Sequence, residues 1–271
     1  MKKTIALIFL LLVSKLGFSQ YEYGNQFNLD SNTVAVAYDT SNYHDIRNQI
    51  KVENMFLKID SNDISPHIRR AMLEFQMNDF EASIKDYDKI IKIRPNSAEA
   101  YSNRGLCYLM LRNYKAALSD MDKALQLNPD AQSYKLRSGV KYYCKDFAGA
   151  IADLDTAIAM KPDYTDAYNA RAENETEMGK YQEALQDFNK ALELDPKFAL
   201  AYGGMAETKF KLGDYDGTIF DLYQERKIMP MSENYDFYEL LAQAYEKKGD
   251  NENAKLAYEK AASYKKTSAV K

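Results

Sequence analysis

The sequence predicts an all-α fold, a solenoid of about six helix-turn-helix units. Three observations carry this reading. A proline recurs at Pro95, Pro129, Pro162, Pro196 and Pro230, in steps of 34, 33, 34 and 34 residues. Between these prolines the same plan returns, two short amphipathic segments on either side of a turn. The turns themselves recur at Asn78-Asp79, Arg112-Asn113, Lys145-Asp146, Gly179-Lys180, Gly213-Asp214 and Gly249-Asp250. A lone helical hairpin cannot bury its apolar face, so a fixed period of this size signals stacked neighbours.

The chain opens with residues 1–19, which read as a secretory signal peptide. Lys2-Lys3 supply the positive start, and Ile5 to Val13 form an apolar run too short to span a bilayer. Gly17 and Ser19 place small residues at the processing spacing, so cleavage after Ser19 leaves Gln20 first. The alternative is a buried N-terminal helix. Residues 20–63 read as an irregular arm with a capping helix. The arm is rich in Asn, Asp, Ser and Tyr and has little periodicity. From Asp45 to Ile59 a helix is expected, with Val52, Met55, Phe56 and Ile59 on one face to cover the first repeat.

Ser65-Pro66 starts the solenoid, which occupies 64–264 and leaves 265–271 as a tail. The units fall at 64–97, 98–130, 131–164, 165–198, 199–234 and 235–264. Gly at three of the six turns suits the left-handed residue that closes a helix. An aromatic follows most turns: Phe80, Tyr114, Phe147, Tyr181 and Tyr215. The second helix of a unit then runs to the proline, which cannot continue a helix interior.

Within a unit the side-chain pattern is specific. Unit 98–130 offers Tyr101, Gly105, Tyr108, Ala117 and Pro129, with Met121 where an aromatic is usual. Unit 165–198 offers Tyr168, Ala172, Ala184, Phe188 and Pro196. The last offers Tyr238, Ala242, Tyr245, Ala254 and Tyr258, without the proline. The first departs most, with His67 in the bulky place and Ser83 in the small one. On these residues the array resembles the tetratricopeptide repeats. The resemblance implies a right-handed superhelix with a concave inner face that holds peptides or protein segments.

Composition narrows the partner. Without residues 1–19, 33 bases stand against 40 acids, a net charge of −7. That argues against nucleic acid, which needs a basic footprint, and against an anionic membrane surface. No membrane span is expected after signal cleavage. Cys107 and Cys144 are too few for a disulfide scaffold or a zinc quartet and read as small packing residues. No dinucleotide, P-loop, zinc-protease or nucleophile-elbow motif occurs, so neither a cofactor nor an enzyme is expected. The alternatives are an enzyme or small-ligand-binding protein using the solenoid as a frame, or a self-assembling structural component. For the last, Tyr258, Ala261 and Tyr264 mark a C-terminal end without a polar cap.

Two further columns share the period. Asp86, Asp120, Asp153, Asp187 and Asp221 recur in step with Arg70, Arg104, Arg137 and Arg171. They read either as a solvated face or as an Arg–Asp ladder tying helices together. A second apolar stripe, Leu106, Leu109 and Met110, runs beside the Tyr101, Gly105, Tyr108 stripe. By the resemblance it lines the groove. Its counterparts are Arg69, Met72 and Phe75 before it, and Gly139, Tyr142 and Tyr143 after it. Glu173, Glu177 and Glu207 then turn the same face acidic. The expected ligand is an extended or helical segment with apolar anchors and a basic end. The competing expectation is that these residues pack against neighbouring helices, or under arm residues such as Tyr21, Tyr23 and Phe27. Some family members clamp a terminal carboxylate with Lys, Asn and Arg. The matching places here hold Ile68, Met72, Asn103, Gln132 and Leu136, and only Asn103 agrees. With the export signal, the chain is expected to be periplasmic, envelope-associated or secreted.

Overall fold

The computed structural model describes residues 40–230 and 234–269, with side chains over 45–230 and 234–264. The expected signal peptide and the arm up to residue 39 lie outside the described residues. Among the described residues there are thirteen helices and no strand, the composition of an all-α solenoid of helix-turn-helix units. The chain divides into two compact units between Cys144 and Lys145.

The first unit holds α1 (Thr40–Ile59), α2 (Ile64–Gln76), α3 (Phe80–Ile93), α4 (Ala98–Met110), α5 (Tyr114–Leu127) and α6 (Ala131–Tyr143). The second holds α7 (Phe147–Met160), α8 (Thr165–Glu177), α9 (Tyr181–Leu194), α10 (Ala199–Leu212), α11 (Tyr215–Ile228), α12 (Tyr235–Lys247) and α13 (Asn251–Ala269). The last helix takes up residues 265–269 of the expected tail, because no Gly or Pro stops it after Tyr264.

Local chemistry explains the breaks. After each first helix one residue turns left-handed: Asn78, Arg112, Lys145, Gly179, Gly213 and Gly249, with φ between 59° and 83°. Asp79, Asn113, Asp146 and Asp214 then cap the next helix, each accepting from the backbone N–H three residues on. At the start of α2 the cap is Asp63, which accepts from Ser65 N–H, and Ser65 lies inside the first turn.

Packing follows the small-residue columns. Ala71, Ser138, Ala172, Ala206 and Ala242 on first helices are all buried, as are Ser83, Ala117, Ala150, Ala184 and Thr218 on second helices. A Cβ on Gly105 would lie 3.1 Å from Met121 Cε and 3.2 Å from Asp120 Cβ, so the helices meet at the closest approach glycine allows. Where a hydroxyl replaces Ala, it is satisfied: Ser83 Oγ donates to the Ala71 carbonyl at 2.8 Å. Between these columns sit Tyr87, Met121, Leu154, Phe188 and Leu222, each 3% exposed or less.

The helix expected at 45–59 forms and starts earlier, at Thr40, but its apolar face is turned the other way. Val52, Met55, Phe56 and Ile59 are 48, 64, 49 and 84% exposed, whereas Ile46 and Glu53 are buried. The cause is polar. Arg69 donates Nε and Nη2 to the two Glu53 carboxylate oxygens, each at 2.9 Å, and the Arg70 guanidinium reaches Asn54. A bidentate charged pair fixes the rotation of α1 against α2.

Candidate protein-interaction faces

The arginine and aspartate columns form the frame that holds the first helices. Arg70, Arg104 and Arg171 each donate two hydrogen bonds to the aspartate of their own hairpin, Asp86, Asp120 and Asp187, at 2.6–2.9 Å. The remaining nitrogen, Nη1, reaches back to the preceding hairpin: Arg104 to Asp88 at 2.6 Å and Arg171 to Asp155 at 2.6 Å. Arg137 likewise donates to Asp122 at 2.9 Å. The Arg104 and Arg171 guanidinium groups therefore each tie two hairpins as well as two helices, and the aspartates of their own hairpins, Asp120 and Asp187, are buried. In the fifth unit Met205 occupies the arginine place, and Lys209, one turn on, reaches Asp221 at 2.6 Å instead. Bonding to its aspartate raises the pKa of Arg104, as it does for Arg171, so the column stays charged.

In the first unit the structure divides the expected apolar stripe. Leu106 and Leu109 are 4% and 6% exposed and sit in a core cluster with Ala117, Met121, Leu136 and Val140. They are walled in by α5 and α6 and cannot anchor a ligand, a correction to the expected groove. The reason is geometric: the stripe turns toward the next first helix, whose Leu136 and Val140 face it. What stays accessible is the rim around that cluster. Phe75, Met110 and Tyr143 pack against it and are half-buried, as are Met72 and Tyr142. Tyr143 stacks on Tyr114 at 6.3 Å and meets Tyr142 edge-on at 5.5 Å. Phe75 meets Phe80 edge-on at 5.1 Å. Arg69 is exposed, and its guanidinium is held by Glu53.

In the second unit Glu173 accepts from Asn169 Nδ2 at 2.8 Å. Glu177 and Glu207, on α8 and α10, are both exposed and are brought together by one cation, Lys211. Its Nζ lies 2.9 Å from Glu177 and 3.1 Å from Glu207. Lys211 escaped the sequence reading, although its spacing gives it away: four residues after Glu207 and 34 after Glu177. The hydroxyls of Thr176 and Thr208, 2.7 Å apart and buried, lock the same two helices together beneath.

Two further reactive groups, His67 and Cys107, are occupied by structure. His67 Nδ1 is 2.7 Å from Asp86 and its Nε2 is 3.1 Å from the Ser61 carbonyl, so both ring nitrogens serve packing. Burial pushes the Cys107 thiol up to about 12, a value at which it is not a nucleophile. Cys144, expected to pack, is exposed at the end of α6. Among the described residues no group of three or more His, Cys, Asp or Glu is placed to hold a metal, and no helix is long and apolar enough to cross a membrane.

Comparison with known proteins agrees with this geometry. The tetratricopeptide repeat family matches residues 98–131, 165–198 and 235–268, and a further TPR repeat model matches 72–111. The chain is a tetratricopeptide-repeat-containing protein. No curated protein matches the sequence. Among solved structures, a tetratricopeptide repeat protein from Parabacteroides merdae aligns over 86% of this chain and 92% of its own, at 18% identity and TM-score 0.68. PilW, a type IV pilus biogenesis factor, aligns over 74% and 91%, at 20% identity and TM-score 0.66. YrrB, described as a TPR protein with an unusual peptide-binding site, aligns over 66% and 92%, at 23% identity and TM-score 0.50. At these identities the likeness is one of fold. Tetratricopeptide proteins are in general non-enzymatic scaffolds, and their repeats bind peptides or proteins.

Proposed function

We propose that this protein is an exported, non-catalytic scaffold that binds a peptide or protein segment on the first-helix faces of its repeats, outside the cytoplasm. The observation that carries the reading is the half-buried aromatic rim of Phe75, Met110, Tyr142 and Tyr143, beside Met72. Such a rim offers rigid apolar area at small entropic cost, as interface anchors do. In the second unit Glu173, Glu177 and Glu207 outnumber Lys211, which favours a segment carrying Lys or Arg on that face. Export rests on the sequence of residues 1–19, and it sets the partners among periplasmic, envelope or secreted proteins.

The test begins with in vivo crosslinking to capture a partner, followed by affinity measurement on the captured partner. Tyr142→Ala with Met72→Ala should weaken it by about 2 kcal/mol, with helicity unchanged. Unchanged affinity would remove the aromatic rim from the binding surface.

A further inference from the structure

Helix α1 stands in the register of a hairpin's second helix. Arg70 reaches Asn54 sixteen residues back, as Arg104 reaches Asp88 and Arg171 reaches Asp155. In that register Val52 takes the place of Asp86, Asp120 and Asp187, and Phe56 takes the place of Ile90, Ala124 and Ala191. Those six residues are all buried, at 8% exposure or less, whereas Val52 and Phe56 are about half exposed. The face that is covered in a complete hairpin is thus uncovered on α1, and from Val52 to Phe56 it is apolar, with the polar Gln49 one turn before in the place of Ser83 and Ala117. Contiguous exposed apolar surface of this kind marks an interaction site.

The other end of the array is incomplete in the complementary sense. Tyr258 takes the place of Leu222 and Phe188, which are 2% and 0% exposed, but is itself only half-buried. It lies with Ala254 and Ala262 in a shallow groove beside α12, whose charged rim is Glu246, Glu259 and Lys255. In interior repeats the next first helix covers this strip. Ala261 and Tyr264, expected from the sequence to be exposed there, are instead packed inward. Ala261 is 1% exposed, and Tyr264 stacks on Tyr238 at 5.7 Å.

We propose that the uncovered face of α1 docks into the α12–α13 groove of a second copy of this chain, head to tail. Charge selects this occupant. Arg47, Lys51 and Lys58 are exposed along one flank of α1, while Glu53 is engaged by Arg69. An antiparallel pairing of two α1 helices would set basic flank against basic flank, whereas the groove offers Glu246 and Glu259 against the single cation Lys255, a net negative lining. A head-to-tail contact joins unlike patches and leaves both ends of a pair open, so it propagates. The contact is independent of what the inner faces bind.

The test is sedimentation velocity on the chain from Gln20, up to about 1 mM. The expected result is a weight-average mass that grows with concentration past the dimer and falls with added salt. Phe56→Glu and Ala262→Arg, both at exposed positions, should each arrest the chain as monomer. Mixing the two variants should restore a dimer and nothing larger, since one supplies the groove and the other the helix. Met55→Glu, with circular dichroism on every variant, separates loss of contact from loss of fold. A wild-type chain monomeric at all concentrations would overturn the proposal, whether residues 20–39 or another protein covers α1. So would a dimer persisting in Ala262→Arg, which would mean α1 pairs with α1.

Discussion

Burial without a full counter-ion sets the protonation of three carboxyl groups, Glu74, Glu175 and Glu225. Each is raised from 4.5 to about 7, with burial the largest cause. Glu74 and Glu175 repeat one arrangement in two hairpins: Arg70 and Arg171 oppose the shift, but each already holds an aspartate. Glu225 takes the place of Ala191 and Ala124 in its repeat, and its carboxyl occupies the space beside Gly203. A carboxyl whose folded pKa lies above its unfolded value binds protons more tightly in the native state. Its contribution is therefore full below pH 4.5 and is lost as pH rises toward 7. The melting temperature should be higher at pH 5 than at pH 8, other groups aside. Glu225→Gln should raise the pH 8 value and reduce the difference. The turns give a second test at this scale. Arg112 adopts φ 59° without being glycine. Arg112→Gly should stabilise by about 1 kcal/mol in urea unfolding, because it relieves that conformation.

At the scale of the helix, the ladder makes the hairpins of Arg70, Arg104 and Arg171 each dependent on one guanidinium. Arg104→Met would leave Asp120 buried without its partner and should cost about 3 kcal/mol. Adding Asp120→Leu should return most of that loss. Close approach makes the matching steric prediction. A Cβ on Gly204 would fall 2.3 Å from the Phe188 ring, which is fully buried. Gly204→Ala should therefore destabilise by about 2 kcal/mol by calorimetry. Helix existence and boundaries were legible because period, turn residues and caps all point the same way. The ladder was legible as two columns in step, though spacing alone could not say that the third guanidinium nitrogen reaches the preceding hairpin. Rotation was not legible. The periodicity of α1 marks an apolar face, but the Arg69–Glu53 pair decides which face meets α2. Leu106 and Leu109 read as a groove stripe by spacing, yet Leu136 and Val140 enclose them. Periodicity reports that residues share a side, and the neighbour supplied by a distant repeat decides whether that side is covered.

For the whole molecule, the first helices of the repeats carry the exposed chemistry. The sequence also makes a negative prediction at this scale. With Ile68, Met72, Gln132 and Leu136 where a carboxylate clamp needs cations and amides, a chaperone's C-terminal tail should show no binding that depends on its free carboxylate. Leu136 is moreover inside the core. Comparing a free-acid tail with its amide checks this. Mass spectrometry of the native protein should find Gln20 as the first residue. We propose that the aromatic rim of the first unit takes apolar anchors and the acidic face of the second takes basic residues. Selection from a random peptide library on the chain from Gln20 tests it most directly. The expected result is enrichment of aromatic or aliphatic peptides, lost when Tyr142→Ala is the bait, and of Lys- or Arg-bearing peptides, lost when Glu173→Gln is the bait. Absence of enrichment, or enrichment of acidic peptides untouched by either substitution, would contradict it.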